Sequence, residues 1–256
     1  MGWFASIESP MLCAASIWVW RQFSDLDLSE AKHSRFSSLR ACFIRELKPG
    51  ARTFATDSQW LLSPCDTIVG RQGCIDDTTL LQAKGRTYTL EELLGDVRLA
   101  NSLHNGRFVT LRITSSMYHR FHAPDDLVVD EVIYIPGDAW NVNGPALARV
   151  DRLFCKNERA VIRCRLQACG TEVILVAVAA VLVAGIRLHC ADLLLHTGYR
   201  GPMRIPCERS FARGEEMGWF EHGSTILVLT PEGLASACLA DEGSLVRVGQ
   251  PLLQRP

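Results

Sequence analysis

From about Ser58 onward the chain alternates short, strand-like apolar runs with turn signals, and this alternation restricts the fold more than any other feature of the sequence. Gly, Pro and Asn separate the runs, and these residues favour turns because they supply backbone conformations that strands do not. A short helix is predicted over residues 89–94, where Thr89 and Glu92 have the spacing of a capping box. The pattern predicts an α+β fold with a predominantly antiparallel β core, either a sandwich or barrel-like. The strand-like runs are residues 67–69, 107–113, 130–135, 160–167, 172–186 and 225–229.

Residues 1–55 differ from this β-rich part and are predicted to form a helical segment, which leaves residues 56–256 as the β-rich domain. The segment begins with apolar and aromatic residues, among them Trp18 and Trp20, and continues with a basic stretch. Aromatic residues beside cations are typical of a helix at a membrane interface, but a terminal helix packed on the main domain explains them equally well. Within the segment a helix is predicted over 27–47, with Asp27 or Ser29 as its N-cap.

Composition excludes several classes of protein. The formal net charge of −1 gives no basis for nucleic-acid binding. The longest apolar run, residues 173–186, is shorter than the roughly 20 residues that a membrane-spanning helix needs, so no such helix is expected. The ten cysteines are scattered without a Cys-x-x-Cys pair, which predicts thiols in a reducing cytoplasm and no metal site.

Three segments carry residue types that are typical of acid, base and nucleophile. Asp66 follows Ser63-Pro-Cys at a predicted turn, His119 and His122 lie in Tyr-His-Arg-Phe-His, and Ser224 follows Gly223 before an apolar run. An acid, a histidine and a serine are common in any chain, and their order alone identifies no triad. Two histidines three residues apart point to opposite sides of a strand, which favours separate duties.

Further blocks join these three segments, and together they resemble the pyruvoyl-dependent, bacterial-type phosphatidylserine decarboxylase family in order and spacing over residues 38–253. Two positions depart from the family's pattern: Thr67 follows the acid where glycine is usual, and His222 precedes Gly223 where a small or aliphatic residue is common. The additional blocks are residues 43–52 (FIRELKPGAR), 80–88 (LLQAKGRTY), 135–143 (IPGDAWNVN), 157–159 (NER), 214–220 (GEEMGWF) and 249–252 (GQPL).

The resemblance implies that the chain cuts itself between Gly223 and Ser224. Ser224 attacks the Gly223 carbonyl, His122 takes the serine proton, and Asp66 orients and supports His122. The products are a β chain, residues 1–223, and an α chain, residues 224–256, whose first residue has become a covalent pyruvoyl group. The resemblance assigns His119 to the later decarboxylation, and Arg120 is either a ligand of the substrate or part of a structural ion pair.

The same resemblance implies the substrate and the surroundings of the enzyme. Phosphatidylserine is the expected substrate, and phosphatidylethanolamine and CO2 are the expected products. The protein is expected at an anionic membrane surface, peripherally bound on the cytoplasmic face of the cell membrane, and the family suggests a homodimer. Two alternatives stay open: a pyruvoyl decarboxylase of another serine-headed lipid or ester, and a non-cleaving, lipid-binding relative.

Overall fold

The computed structural model describes residues 2–83, 86–180, 185–221 and 223–255, so His222 and part of the apolar run 173–186 lie outside the described residues. The helices are short: α1 Gly2–Ala5, α2 Pro10–Arg21, α3 Leu39–Phe43, α4 Leu90–Leu94, α5 Val97–Ser102, α6 Gly144–Leu147 and α7 Leu153–Lys156. The strands are β1 Trp60–Leu62, β2 Thr67–Cys74, β3 Thr79–Ala83, β4 Arg86–Thr89, β5 Arg107–Ile113, β6 Arg120–His122, β7 Leu127–Ile135, β8 Arg159–Leu166, β9 Glu172–Ala179, β10 Ile186–Leu188, β11 Leu193–Leu195, β12 Arg204–Phe211, β13 Glu216–Phe220, β14 Ser224–Thr230, β15 Ala237–Cys238, β16 Leu245–Val246 and β17 Pro251–Gln254.

An eight-stranded antiparallel sheet forms the centre of the molecule, in the order β12-β7-β8-β9-β14-β5-β2-β16. Within the described residues it stays open, with β12 and β16 as its edges. β14 lies in the interior, hydrogen-bonded to β5 on one side and β9 on the other. Every residue of β14 is buried, which explains why its middle, residues 226–229, is a continuous apolar run and not an alternating one.

The central sheet is covered on both faces. On one face Ile226 and Val228 pack in a core cluster with residues of the smaller sheets, such as Phe121 of β6 and Phe220 of β13. On the other face Leu227 packs in a second cluster that includes α4, α5, α7 and the β3–β4 hairpin. Burial of this apolar area is the main source of stability, at about 25 cal/mol for each Å² removed from water.

A four-stranded sheet in the order β11-β10-β13-β6 holds the histidine segment beside the end of the central sheet. β6 pairs with β13, so that Arg120 lies opposite Trp219 and His122 opposite Glu216. β13 then leads directly towards Gly223 and β14. The two segments predicted to hold histidine and serine are therefore joined by one pair of strands.

The predicted antiparallel β core is confirmed, with each strand-like run overlapping a strand of the central sheet. The predicted helix after Thr89 is also confirmed as α4, with both hydrogen bonds of the Thr89–Glu92 capping box present. The apolar run 173–186 supplies β9 and the first residue of β10. All ten cysteines are free.

An N-terminal helix is present, but the helix predicted over 27–47 is wrong in position. The main helix is α2, which Ser9 caps and Pro10 begins, as favoured for the first turn of a helix. Asp27 instead closes a local turn, accepting hydrogen bonds from the backbone N–H and the hydroxyl of Ser29. Such side-chain-to-backbone bonds compete with helix formation, so only the short α3 forms later in this stretch.

Candidate active site

Ser224 is the first residue of β14 and lies at the end of the central sheet. It pairs with Ile113 of β5 and with Ala179 of β9, and its side chain is fully buried. Its hydroxyl oxygen has no hydrogen-bond partner within the described part of the chain. A buried hydroxyl without a hydrogen-bond partner costs free energy. A serine is therefore a poor choice for packing at this position, which favours a chemical role for its hydroxyl.

A cavity of about 240 Å³, here called the cleavage-site cavity, opens at the Gly223–Ser224 bond. Apart from the two residues that flank it in the chain, the described atom nearest to a methyl group added to Gly223 would be the carbonyl oxygen of Ile113, at 3.9 Å. The surroundings of the bond are therefore roomy enough for a nucleophile or a small ligand. The polar part of the lining comes from Arg112 of β5 and from two loops, with Thr114 and Ser115 after β5 and Asn141 and Asn143 before α6.

His122, at the end of β6, has a defined tautomer. Its Nδ1 lies 2.8 Å from the carbonyl oxygen of Gly214, and its Nε2 lies 3.0 Å from the hydroxyl oxygen of Tyr118. A carbonyl only accepts, so Nδ1 carries the proton and donates it to Gly214, and the Tyr118 hydroxyl donates to the lone pair on Nε2. Burial lowers the pKa of His122, although the bond to Gly214 and the charges of Glu216 and Asp66 oppose the shift. The ring is therefore a neutral base whose lone pair is on Nε2.

His119 occupies different surroundings although it is only three residues away. It is fully buried, with its ring edge-on to Phe43 at a centroid distance of 5.6 Å. Its backbone carbonyl accepts a hydrogen bond of 2.9 Å from the N–H of Phe220. That bond extends the β6–β13 pairing towards Gly223, so the backbone of His119 lies nearer to the cleavage site along the register than that of His122.

Asp66 lies in the bend before β2 and is paired with a cation. Its carboxylate accepts hydrogen bonds from Arg52, at 3.0 Å from Nε and also from Nη2, and from the backbone N–H of Val248 at 2.9 Å. Both side chains of the ion pair are about nine-tenths buried. Arg52 and the N–H of Val248 thus hold the Asp66 carboxylate in place behind the histidine segment.

The backbone brings all three candidate segments together. The N–H of His122 donates to the carbonyl of Pro64 at 2.8 Å, two residues before Asp66. Ser224 pairs with Ile113, from which the chain runs through one loop to His119. The side chains are not joined in the same way: within the described residues, neither Asp66 nor Ser224 forms a hydrogen bond with His122.

Two residues at the site were not assigned a role from the sequence. Tyr118 occupies the basic nitrogen of His122, and burial raises the pKa of its hydroxyl, with the charge of Glu216 adding to the shift. Arg52 forms the buried ion pair with Asp66. Tyr118 stands next to the histidines in the sequence, which is a signal that could have found it, whereas the contact of Arg52 depends on how the N-terminal segment folds back.

Arg120, whose role the sequence left open, is part of a structural network. It forms an ion pair with Glu216 at 2.9 Å, donates to the carbonyl of Ile44 at 2.8 Å, and lies over the ring of Trp219 at 5.0 Å. Its side chain is only 13% exposed. These contacts use its hydrogen-bonding capacity within the protein and favour the ion-pair interpretation over substrate binding.

The N-terminal segment contacts the site on one side and exposes apolar side chains on the other. Trp20 of α2 packs on Phe43 at a centroid distance of 4.7 Å, and Phe43 in turn contacts His119. On the outer side Met11 is 87% exposed, Trp18 66% and Phe23 86%. No helix in the described ranges is long and apolar enough to cross a bilayer, and no group of three or more potential metal ligands occurs in them.

The chain is similar in sequence to known proteins over most of its length. A sequence model of the family described as phosphatidylserine decarboxylase matches residues 39–254. A phosphatidylserine decarboxylase proenzyme of Xanthomonas campestris pv. campestris is 38% identical over 250 residues, which cover 93% of this chain and 86% of the relative. A proenzyme of the same description from Yersinia pestis is 33% identical over 265 residues, covering 99% of this chain and 90% of the relative.

A third relative, from Francisella philomiragia, carries the same description and is 33% identical over 235 residues, covering 89% of this chain and 82% of the relative. The matches from three bacterial genera thus agree with one another and with the family model. They extend across the segments that hold Asp66, the two histidines and Ser224. The chain belongs to the phosphatidylserine decarboxylase family.

Proposed function

We propose that this protein decarboxylates phosphatidylserine to phosphatidylethanolamine and CO2 after cutting its own chain between Gly223 and Ser224. One observation carries the proposal: Ser224 begins an interior strand with its hydroxyl buried and unpaired within the described residues, in the wall of the cleavage-site cavity. Relatives described as proenzymes of this decarboxylase support it.

In the first reaction the Ser224 hydroxyl attacks the Gly223 carbonyl, and Nε2 of His122 receives the serine proton. The attack converts the peptide bond into an ester and frees the α-amino group of residue 224. Loss of the proton on Cα of residue 224 then expels the Gly223 carboxylate and leaves dehydroalanine. Water converts this residue into a pyruvoyl group and ammonia, so that all atoms are accounted for.

Tyr118 and Asp66 have supporting roles in this step. In the resting state the Tyr118 hydroxyl donates a hydrogen bond to the lone pair of His122 Nε2. For Nε2 to receive the serine proton, this hydroxyl must either rotate away or relay the proton from Ser224 to His122. Asp66 supports His122 through its charge, because it makes no hydrogen bond to the ring in the described structure. A nearby negative charge stabilises the imidazolium that forms when the proton arrives.

The surroundings of residue 224 fit a pyruvoyl group. The group is small and uncharged, the position is fully buried, and the adjoining cavity has polar side chains. Pairing of β14 with β5 and β9 would hold residue 224 in place after the cut. When present, the pyruvoyl carbonyl supplies the electron sink that decarboxylation of an amino acid requires. We assign His119, buried beside Phe43, to proton transfer in this second reaction.

The outer side of α2 fits a membrane surface. The exposed apolar side chains of Met11 and Trp18 border a groove of about 500 Å³ whose lining also includes Arg21 and Arg35. Apolar side chains beside cations bind anionic lipid surfaces without spanning them. We propose that the protein binds reversibly to the cytoplasmic face of the cell membrane, as a homodimer of cleaved protomers.

Replacement of Ser224 tests the proposal. Ser224→Ala is expected to remain one chain and to release no CO2, whereas Ser115→Ala, which changes a serine in the same cavity, should still be cleaved. Intact-mass measurement reports both the position of the cut and the conversion of serine to pyruvoyl. A wild-type chain that stays full length through long incubation at neutral pH would contradict self-cleavage and would favour a non-cleaving, lipid-binding relative.

The alternative substrates are separated by a second assay. Release of CO2 should be compared for phosphatidylserine in bilayers, short-chain soluble phosphatidylserine and a serine ester without phosphate. Phosphatidylserine in either form is expected to be the better substrate. Equal turnover of the simple ester would show that another serine-headed compound is the substrate.

A further inference from the structure

A second cavity, here called the outer cavity, lies behind the cleavage-site cavity on the helix-covered face of the central sheet. Its volume is about 340 Å³, and its lining includes Ile68, Gly70, Thr110, Leu147, Phe154 and Thr225. Arg112 and Val142 line both cavities. The two spaces therefore adjoin at these two residues, next to the bond that is cut.

Arg112 directs its side chain into the outer cavity. It lies directly opposite Ile68 of β2 and Thr225 of β14, and side chains directly opposite one another in antiparallel strands share one face. Both of these neighbours line the outer cavity. The side chain of Arg112 thus projects over the residue that immediately follows Ser224.

The guanidinium of Arg112 has no ion-pair or hydrogen-bond partner within the described residues. Its backbone takes part in the strand pairing of β5, and its carbonyl also accepts a hydrogen bond from the Thr67 hydroxyl. Glu242, the acid in the described lining of this cavity, is bonded to Arg71 at 2.7 Å and not to Arg112. Arg112 is also half-buried. A half-buried cation without a counter-ion favours an anionic ligand, since arginine matches phosphate and carboxylate geometry.

Two hydroxyls accompany this cation. The side-chain oxygens of Thr110 and Thr225 are buried, line the outer cavity and have no hydrogen-bond partner in the described part of the chain. Gly70 lines the same cavity and packs closely on Thr110, since a methyl group there would lie only 3.3 Å from the Thr110 carbonyl oxygen. One cation and two free hydroxyls facing one space form a donor set for an oxyanion.

We propose that Arg112 binds the phosphodiester of the phospholipid headgroup, with Thr225 and Thr110 as further donors, while the amine of the same headgroup reaches residue 224. This inference rests on the proposed function. The carboxylate of the headgroup is the less suitable ligand, because it loses its charge as CO2 leaves. A cation bound to it would stabilise the ground state more than the transition state, which slows a reaction. The phosphodiester keeps its charge throughout.

Arg112→Gln tests the inference with soluble short-chain phosphatidylserine as substrate. The variant should still cut itself, because the cut involves no phosphate. Its KM should rise about tenfold or more, as expected for loss of a charge-assisted hydrogen bond, with kcat little changed. The inhibition constant of short-chain phosphatidylethanolamine should rise by the same factor, because this product retains the phosphodiester and lacks the carboxylate.

Arg71→Gln is the matched control, since Arg71 lines the same cavity but is already paired with Glu242. The KM of this variant should stay near that of the wild type.

Three results would overturn the inference. They are an unchanged KM in Arg112→Gln, a raised KM in Arg112→Gln with unchanged inhibition by phosphatidylethanolamine, and an equally large rise in KM in Arg71→Gln. If Arg112→Gln does not fold, Arg112→Lys and the wild-type enzyme decide the matter. Arg112→Lys keeps the charge and should show a smaller rise in KM. In the wild type, glycerophosphoethanolamine should inhibit far better than ethanolamine, and equal inhibition would refute a phosphate site. Failure of the proposed function would be seen separately, as a wild-type protein that neither cuts itself nor releases CO2.

Discussion

Replacement of His122 by alanine is expected to stop self-cleavage while the chain still folds. Hydrogen bonding fixes the proton of this ring on Nδ1, which donates to Gly214, and leaves the lone pair on Nε2 as the base. Loss of a general base typically slows a reaction by about 10²- to 10⁴-fold, which corresponds to about 3–5 kcal/mol of activation free energy. On the timescale of purification such a variant should remain a single chain.

The pH dependence of the wild-type reaction gives a second measure of the same residue. Only neutral His122 accepts a proton, and burial lowers its pKa below the ordinary value of 6.5. The cleavage rate should therefore fall to half its plateau only at a pH below 6.5, as the pH drops through the lowered pKa. An exposed histidine in the same role would already have lost half of the rate at its ordinary pKa of about 6.5.

The assay follows freshly synthesised precursor by intact mass in buffers from about pH 5 to about pH 8, the range in which histidine titrates. His119→Ala is the matched control: it should be cleaved and should acquire the pyruvoyl group, yet release little CO2. Circular dichroism establishes that both variants are folded. A folded and fully cleaved His122→Ala protein would refute the assignment of the base, and normal cleavage of both variants would show that the histidines only hold their loop.

Two other perturbations test the supporting structure. Arg52→Ala leaves Asp66 buried without its counter-ion, so it should lower the free energy of unfolding by about 3 kcal/mol or more. Lys32→Ala removes one partner of an exposed ion pair and should change the free energy of unfolding by less than about 1 kcal/mol. Equal losses of stability in denaturant titrations of the two variants would contradict the importance of the buried pair. Replacing the exposed Trp18 and Phe23 by serine should weaken binding to anionic liposomes in sedimentation assays. Binding of the wild type should decrease with added salt because exposed charges are screened. Equal binding of the wild type to neutral and anionic vesicles at all salt concentrations would refute the electrostatic contribution to membrane binding.

The sequence predicts six of the eight strands of the central sheet, because each of the six carries its own signal, whereas the edge strands β12 and β16 were not predicted. Residues 107–113 were predicted as a strand with the observed limits of β5, and β14 was predicted within one residue at each end. Buried interior strands are continuous apolar runs, and their ends carry turn residues. The sequence signal for α4 is equally local, since Thr89 and Glu92 form its capping box within four residues.

The remaining features depend on contacts between distant parts of the chain. The partner of the basic nitrogen of His122, Tyr118, is four residues away, but the partner of its other nitrogen, Gly214, is 92 residues away. Arg52 reaches Asp66 only because the N-terminal segment folds back over the β-rich part. The error in the helix predicted over 27–47 has a local cause. Asp27 accepts hydrogen bonds from Ser29 in a turn, and this turn competes with a helix.

The position of Ser224 within the sheet also explains how the enzyme would survive its own cut. The proposed α chain contains β14, β15, β16 and β17. β14 lies between β9 and β5, β16 pairs with β2, and β17 pairs with β1, all of which belong to the proposed β chain. Leu227 and Val228, on opposite faces of β14, are buried in different core clusters. Hydrogen bonds and apolar packing on both faces of β14 connect the two proposed products. Cleavage of one peptide bond at the start of β14 would therefore leave the fold intact, and it would place the new terminus in the cavity where the second reaction is proposed to occur.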